Sequence, residues 1–433
     1  MILFDFIARQ LMQIRKRGWE EFERKLKLAT PIILRLPLTP LAVFVVLIIR
    51  LIRPFYLVRI GRLTGWRMGH FAANVELYLC ERDAGINTPD IAYLGIWYHP
   101  CEPCNLQLDR MWRRVLFVGF GPLFTIVDQI NLWIPGGEVH QIPATVKSDR
   151  DVHHLLDRFP AHLKFTAKEE EIGDSGLRAL GIPCDAKFIC LTVRDSAYLD
   201  AQAKAAHAKV DRSYHNYRDC DVNNFILAAT ELAERGYYVV RMGAVVREAM
   251  KVSHPRIVDY ATNGMRSDFM DIYLGAKCEF CISTSTGFDA IPYVFRRPIV
   301  YVNSCPLGGT LSTFREKFIN ITKHHFSIVK KRDLTLTEIF AEGGGFCLRS
   351  SQYESLGIQL LENTPEEIRD VVMEMVERLN GTWIPHEEDE ILQKRFWEKY
   401  SNALDVTGNR HLHGELRSRF GTNFLRQNKD FLE

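Results

Sequence analysis

Residues 279–303 read EFCISTSTGFDAIPYVFRRPIVYVN. The stretch opens on a short apolar run and closes on another. Between them come Ser283, Thr284, Ser285 and Thr286, then Gly287, then a helix-like segment. A strand, a loop, a helix and a strand follow one another with no spare residues, as in a parallel α/β sheet. Ligands of such sheets bind at the carboxyl ends of the strands, beside the N-termini of the following helices. Free backbone N–H groups there attract phosphate. One hydroxyl suffices to cap a helix. Four in a row, with a glycine that admits close approach and no carboxylate before Asp289, read as a cradle for a diphosphate.

The same alternation runs outward in both directions. From residue 55 the segments FYLVRIGRL, DIAYLGIW and VLFVGF are strand-like, and GHFAANVELYLCERDAG, NLQLDRMWRR and GPLFTIVDQINLW are helix-like. Residues 147–185 are mixed and polar and link to a second half. There FICLTVRD, YYVVRMG, PRIVDY, CEFCIS and PIVYVN are strands. DVNNFILAATELAERG is a helix with Asp221 as N-cap, SDFMDIYLGAK is capped by Ser267, and Thr364 and Glu367 form a capping box. The expected divisions are 1–54, 55–165, 166–385 and 386–433, the last a helix and tail returning to the first domain.

Size and composition suit this. The chain has 433 residues, 47% of them hydrophobic, enough for two ordinary cores. Ten scattered cysteines, several in apolar runs, read as reduced thiols of a cytosolic protein. Cys101 and Cys104 form one CxxC with no second pair at zinc spacing. The net charge is +2, yet residues 1–68 hold thirteen Arg and Lys against four Asp and Glu, a local +9. This end is also apolar, with LAVFVVLII at 41–49, a run too short to span a bilayer. Segment 1–54 therefore reads as interfacial helices on an anionic membrane surface, peripheral at the inner face of the cytoplasmic membrane. No nucleic-acid partner is expected.

Other loops belong to the same sheet edge as residues 283–287. Arg194 and Asp195 follow one strand, Arg241 and Gly243 another, and RSYHNYRDCD supplies Arg212, His215 and Arg218. Several arginines at neighbouring strand ends suit a ligand with two phosphates. In the first half, His70 and Asn74 stand one turn apart at the start of a helix, and an imidazole there is suited to serve as a general base. The chain has no G-x-x-x-x-G-K-[ST], no G-x-G-x-x-G after the first strand, no G-x-S-x-G and no H-E-x-x-H. No metal and no cofactor is called for. The Asp219-Cys220-Asp221 triplet does not follow an apolar strand, and Asp221 is already used as a cap.

Taken as a set, RIGRLTGWRMGH, PCEPCN, YHNYRDCDVNNFILAATELAERGYYVVRMG and CISTSTGFDAIPYVFRRPIVYVN resemble a family of bacterial glycosyltransferases of GT-B type. That family is associated with surface-polysaccharide gene clusters and defined mainly by sequence. The resemblance runs from about residue 30 to the C-terminus. It implies two Rossmann-like domains facing a cleft, with a nucleoside diphosphate sugar on the C-terminal one. A glycan or lipid-linked acceptor would lie on the N-terminal one. It also implies metal-independent transfer, with basic side chains offsetting the leaving diphosphate. The competing readings are a nucleotide-sugar epimerase or hydrolase on the same fold, and a non-catalytic nucleotide-sugar-binding protein.

Overall fold

The computed structural model describes residues 36–142, 150–205, 213–309 and 315–433, with Met12, Arg15, Gly18 and Trp19. Most of segment 1–35, and Arg212, lie outside them. The fold is α/β with parallel sheets, in two compact units. The first comprises Met1–Leu63, Pro89–Glu102 and Leu116–Ala144; the second comprises Thr64–Thr88, Pro103–Val115 and Thr145–Glu433.

The first unit is built on a parallel sheet of β1 (Leu57–Arg62), β2 (Tyr93–Tyr98) and β3 (Phe117–Val118), in that order. The chain continues through helices α1 (Thr39–Leu51), α2 (Met68–Asp83), α3 (Leu106–Trp112) and α4 (Gly121–Trp133). Of these, α1 and α4 pack on each other in the first unit. They bury Ala42, Val46, Ile49, Ile126 and Val127 against Val58, Ile60 and Tyr98. The third strand is much shorter than its apolar run. Its chain turns at Gly121, where a Cβ would lie 2.2 Å from the His99 carbonyl oxygen, so only glycine fits.

Helices α2 and α3 fold with the second unit, although they connect strands of the first. The second unit has seven parallel strands: β4 (Phe188–Thr192), β5 (Tyr238–Met242), β6 (Ile257–Val258), β7 (Cys281–Ser283), β8 (Ile299–Ser304), β9 (Phe318–Thr322) and β10 (Arg419–Phe420). Their spatial order is β10-β9-β8-β7-β4-β5-β6. All residues of β4, β7, β8 and β9 are buried, as expected of strands covered on both faces. The covering helices are α5 (Ala167–Ala179), α6 (Ile226–Glu234), α7 (Asp268–Lys277), α8 (Ala290–Val294), α9 (Pro365–Asn380) and α10 (Asp389–Val406). Their caps are those the sequence indicates. Ser267 accepts from the Met270 N–H, and Thr364 and Glu367 close a capping box. Asp221 caps a 3-10 turn, Val222–Phe225, ahead of α6 rather than α6 itself.

Helix α2 packs on α8 and α3 on α7. Helix α10, expected to return to the first domain, instead buries Leu392, Phe396, Tyr400 and Leu404 in the second unit's own core. A small antiparallel sheet of Arg332–Asp333, His324–Ser327 and Ile358–Leu361 adds to that unit and has no strong sequence signal.

Candidate functional site

The strand order locates the site. From β4 the chain steps outward to β5 and β6, then returns with β7 to the opposite side of β4. Strands β4 and β7 therefore flank a topological switch point, where the loops at the carboxyl ends diverge and leave a crevice. Arg194 follows β4, and residues 284–287 follow β7.

Within that loop the four hydroxyls do different things. Ser283 is buried; its hydroxyl donates to Asp289 Oδ2 at 2.7 Å and accepts from the Ser285 N–H at 3.0 Å. Thr284 is also buried and accepts from the Arg194 N–H at 2.8 Å, tying the two loops together. Thr286 shares a hydrogen bond with Thr192 at 3.1 Å and accepts from the Phe288 N–H at 3.3 Å. These three shape the loop. Ser285 is half-buried, at φ 60°, in the left-handed region that few side chains adopt. It is the strained residue of the loop; Gly287 is not. Gly287 meets the second unit's α2 instead, where an added Cβ would lie 3.4 Å from the Gly69 nitrogen. The close approach seen here is to a helix, and Gly287 is otherwise exposed. Helix α8 has only five residues and brings little dipole of its own.

The cations are what the loop faces. Arg218, in the 3-10 segment Ser213–Arg218, donates from Nη2 to the Ser285 carbonyl. Arg194 Nε lies 3.7 Å from Asp219 Oδ1, an ion pair too long for a hydrogen bond. The Nε groups of Arg194 and Arg218 are both buried without a hydrogen-bond acceptor. Burial lowers the pKa of Arg194, and the neighbouring Arg218 charge lowers it further. Lys323, directly after β9, is buried and donates to the Asp219 carbonyl at 2.7 Å. Three cations thus meet two carboxylates, and burial pushes both carboxylates toward the neutral form: Asp219 is raised, and Asp289 is raised to about 6. Half-buried like charges in this state cost stability unless an anion joins them.

Other expected residues fall elsewhere. Arg241 is buried in an ion pair with Asp259 at 3.1 Å and donates to the Glu248 carbonyl at 2.7 Å. It holds its own loop and does not reach residues 283–287. Asp195 caps a turn, accepting from the Ala197 and Arg247 N–H groups, each at 2.9 Å. Gly243 sits where a Cβ would come within 2.6 Å of Val246, a packing requirement. His215 is half-buried with its ring 4.0 Å from that of Tyr214, one 3-10 turn before Arg218. His70 lies on the first turn of α2, next to the Gly69 that touches Gly287. Its Nδ1 stands 3.3 Å from Asn74 Oδ1, the one-turn pairing the spacing indicates. Lys323 was missed; its one signal is a lysine directly after the apolar run FINIT.

Among the described residues one cluster has metal-like spacing: Glu76, Cys80 and His162. Cations already fill it. Arg296 Nη2 is 2.6 Å from Glu76 Oε1 and 3.6 Å from Cys80 Sγ, and His162 bridges Glu76 at 3.2 Å and Asp83 at 2.8 Å. Burial opposes charge on His162, but Cys80, Glu76 and Asp83 outweigh it and raise its pKa to about 10. The cluster is a charged network joining α2 to the loop after α8.

No family model matches the chain, and no curated protein matches it. Among solved structures it is similar to the ADP-heptose lipopolysaccharide heptosyltransferase II of E. coli. The identity is 14% and the TM-score 0.42, over 74% of this chain and 98% of that one. A glycosyl transferase of family 9 from Veillonella parvula aligns at 10% identity and TM-score 0.41, over 74% and 97%. An E. coli heptosyltransferase solved with ADP-2-deoxy-2-fluoro heptose aligns at 12% identity and TM-score 0.27, over 61% and 93%. Identities and TM-scores at this level leave the chemistry to be argued from the site itself.

Proposed function

We propose that the protein is a GT-B-like glycosyltransferase, moving a sugar from a nucleoside diphosphate sugar to a lipid-linked or surface-glycan acceptor. One observation carries the reading. Arg194 and Arg218 are half-buried and close to each other at the switch point, each with a buried Nε that no protein group accepts from. A diphosphate would neutralise both, and Lys323 adds a third cation at the same sheet edge. Ser285 offers its hydroxyl and Gly287 lies exposed beside it. As the glycosidic bond to the donor breaks, charge grows on the departing diphosphate, and preorganised cations stabilise it most at that moment. This electrostatic role needs no metal. His70, one residue beyond the α2–loop contact, is the candidate base for the acceptor hydroxyl. The basic N-terminal region would hold the enzyme at the cytoplasmic face of the membrane, beside lipid-linked acceptors.

The test is thermal stabilisation by a panel of nucleoside diphosphates, followed by turnover of a labelled donor with and without acceptor lipid. Stabilisation by one base, lost in Arg218→Ala, is the expected outcome. Rapid release or epimerisation of the sugar without acceptor would favour the hydrolase or epimerase reading. Binding with no turnover under any condition would favour a binding protein.

A further inference from the structure

The first unit carries an apolar surface that its core does not use. Helix α1 buries Ala42, Val46 and Ile49 against α4 and the sheet. Its other face is equally apolar: Phe44 and Leu47 are each 59% exposed and Leu51 is 78% exposed. The surface extends past the helix end to Phe55, 83% exposed, and across to Trp133 at the end of α4, 80% exposed. The two helix ends are locked side by side by Arg50. Its Nε donates to Asn131 Oδ1 at 3.0 Å, and its other nitrogens donate to the Asn131, Ile134 and Pro135 carbonyls. Arg50 is therefore structural; Leu51 and Phe55 follow it in the chain, and Trp133 stands between the Asn131 and Ile134 that it binds, so these three exposed apolar residues belong to one fixed junction. Arg53 lies beside this junction, close to Gly136.

Single exposed apolar residues need no explanation, but a contiguous cluster including Phe and Trp marks an interaction surface. The charge of the chain segment that carries it selects the partner. No acidic residue occurs between Glu23 and Glu76, while Arg24, Lys25, Lys27, Arg35, Arg50 and Arg53 lie in or beside the same stretch. An apolar rim with aromatic residues, set in a chain segment of one positive sign, complements a bilayer with anionic headgroups. We infer that the exposed face of α1, with Phe55 and Trp133, inserts into the headgroup layer of an anionic membrane. Helix α1, at thirteen residues, lies in the interface and does not cross it. The inference deepens the proposed function by naming the surface through which the enzyme meets its membrane.

The test is sedimentation of the full chain with phosphatidylcholine vesicles, with and without phosphatidylglycerol. It is run alongside the triple variant Phe44→Ser, Leu47→Ser, Leu51→Ser. The wild type is expected to bind the anionic vesicles at least about tenfold more tightly than neutral ones. The variant is expected to lose at least about tenfold in affinity for the anionic vesicles, because each serine removes most of one side chain's apolar insertion. These side chains are exposed, so nucleoside diphosphate affinity and the melting curve should not move, and they check that the variant folds. Equal vesicle binding by wild type and variant overturns the inference. So does a wild type that ignores vesicles but forms a dimer that the variant breaks, because the face would then belong to a second copy. Nucleotide binding is read separately, so failure here is distinguishable from failure of the transferase reading.

Discussion

Replacing Arg218 with alanine should move ligand affinity and stability independently, and that separation is the sharpest test of the site. The guanidinium makes one bond to protein, to the Ser285 carbonyl, while its Nε is buried with no acceptor. It also crowds Arg194, whose pKa burial lowers and Arg218 lowers further. Loss of the bond to Ser285, whose donor is charged, costs about 1.5–3 kcal/mol. Relief of repulsion at Arg194 offsets this. At an effective dielectric near 20, two like charges several ångströms apart repel by about 2 kcal/mol before screening. The free protein should therefore melt within a few degrees of wild type. The complex behaves differently. A charge-assisted bond to phosphate is worth about 1.5–3 kcal/mol, and its removal leaves Arg194 to hold the diphosphate with Lys323. Nucleoside diphosphate affinity should fall by about tenfold to a hundredfold or more. Calorimetric titration with UDP, ADP, GDP and CDP, beside a thermal scan without ligand, reads both quantities. An unchanged affinity with a melting point lowered by about 5 °C or more would show that Arg218 merely ties down the loop, and the diphosphate argument would fall with it.

Other outcomes follow from the same geometry. His70→Ala should lower kcat by about a hundredfold or more with little change in nucleoside diphosphate affinity; the reverse pattern would make His70 a donor ligand rather than a base. Gly287→Val should lower the melting point, because the branched side chain meets the Gly69 backbone of α2, whereas Gly287→Ala should be tolerated; equal melting points for the two would remove that contact from the account. Burial raises Asp289 to about 6, so the native state holds that proton more tightly than the unfolded chain. The stability this contributes is present at acid pH and lost as pH rises from about 4 through 6. Asp289→Asn should therefore gain on wild type in melting point between about pH 4 and pH 6, and a gap independent of pH across that window would contradict the assignment. His162 has the same direction of shift at higher pH. Its imidazolium, held by Cys80, Glu76 and Asp83, contributes fully below about 6.5, and the contribution is lost as pH rises through about 10. The melting-point advantage of wild type over His162→Gln should shrink between about pH 7 and pH 10, and a constant advantage would mean the histidine is neutral.

What could be read from the chain and what could not divide along a physical line. Alternating apolar strands and capped helices are local patterns, so βα order, Ser267, Thr364 and the loop after CIS were legible from neighbours in sequence. Whether a polar side chain is spent on the fold or left for a ligand depends on partners far along the chain. Arg194 and Arg241 look alike in sequence, each at the end of an apolar run. Arg241 meets Asp259, which arrives beside β5 through the next strand, and is neutralised there. Arg194 has Asp219 at 3.7 Å, an ion pair without a hydrogen bond, and the Arg218 charge beside it works against that pairing. The four hydroxyls divide the same way. Ser283 and Thr284 turn inward because Asp289 and the Arg194 N–H are waiting, and Thr286, in the loop after β7, pairs with Thr192 at the end of β4. The strand order β7-β4 brings Thr284 to the Arg194 N–H and Thr286 to Thr192, whereas Ser283 and Asp289 stand six residues apart in one loop. Lys323 escaped notice for the converse reason: β9 lies two strands from β7 in space, and nothing in its own sequence distinguishes its lysine from a solvated one. In this sheet the useful signal is therefore an imbalance: cations gathered at one switch point in excess of the carboxylates that could answer them. That excess becomes visible only when all the strand ends are placed in one row.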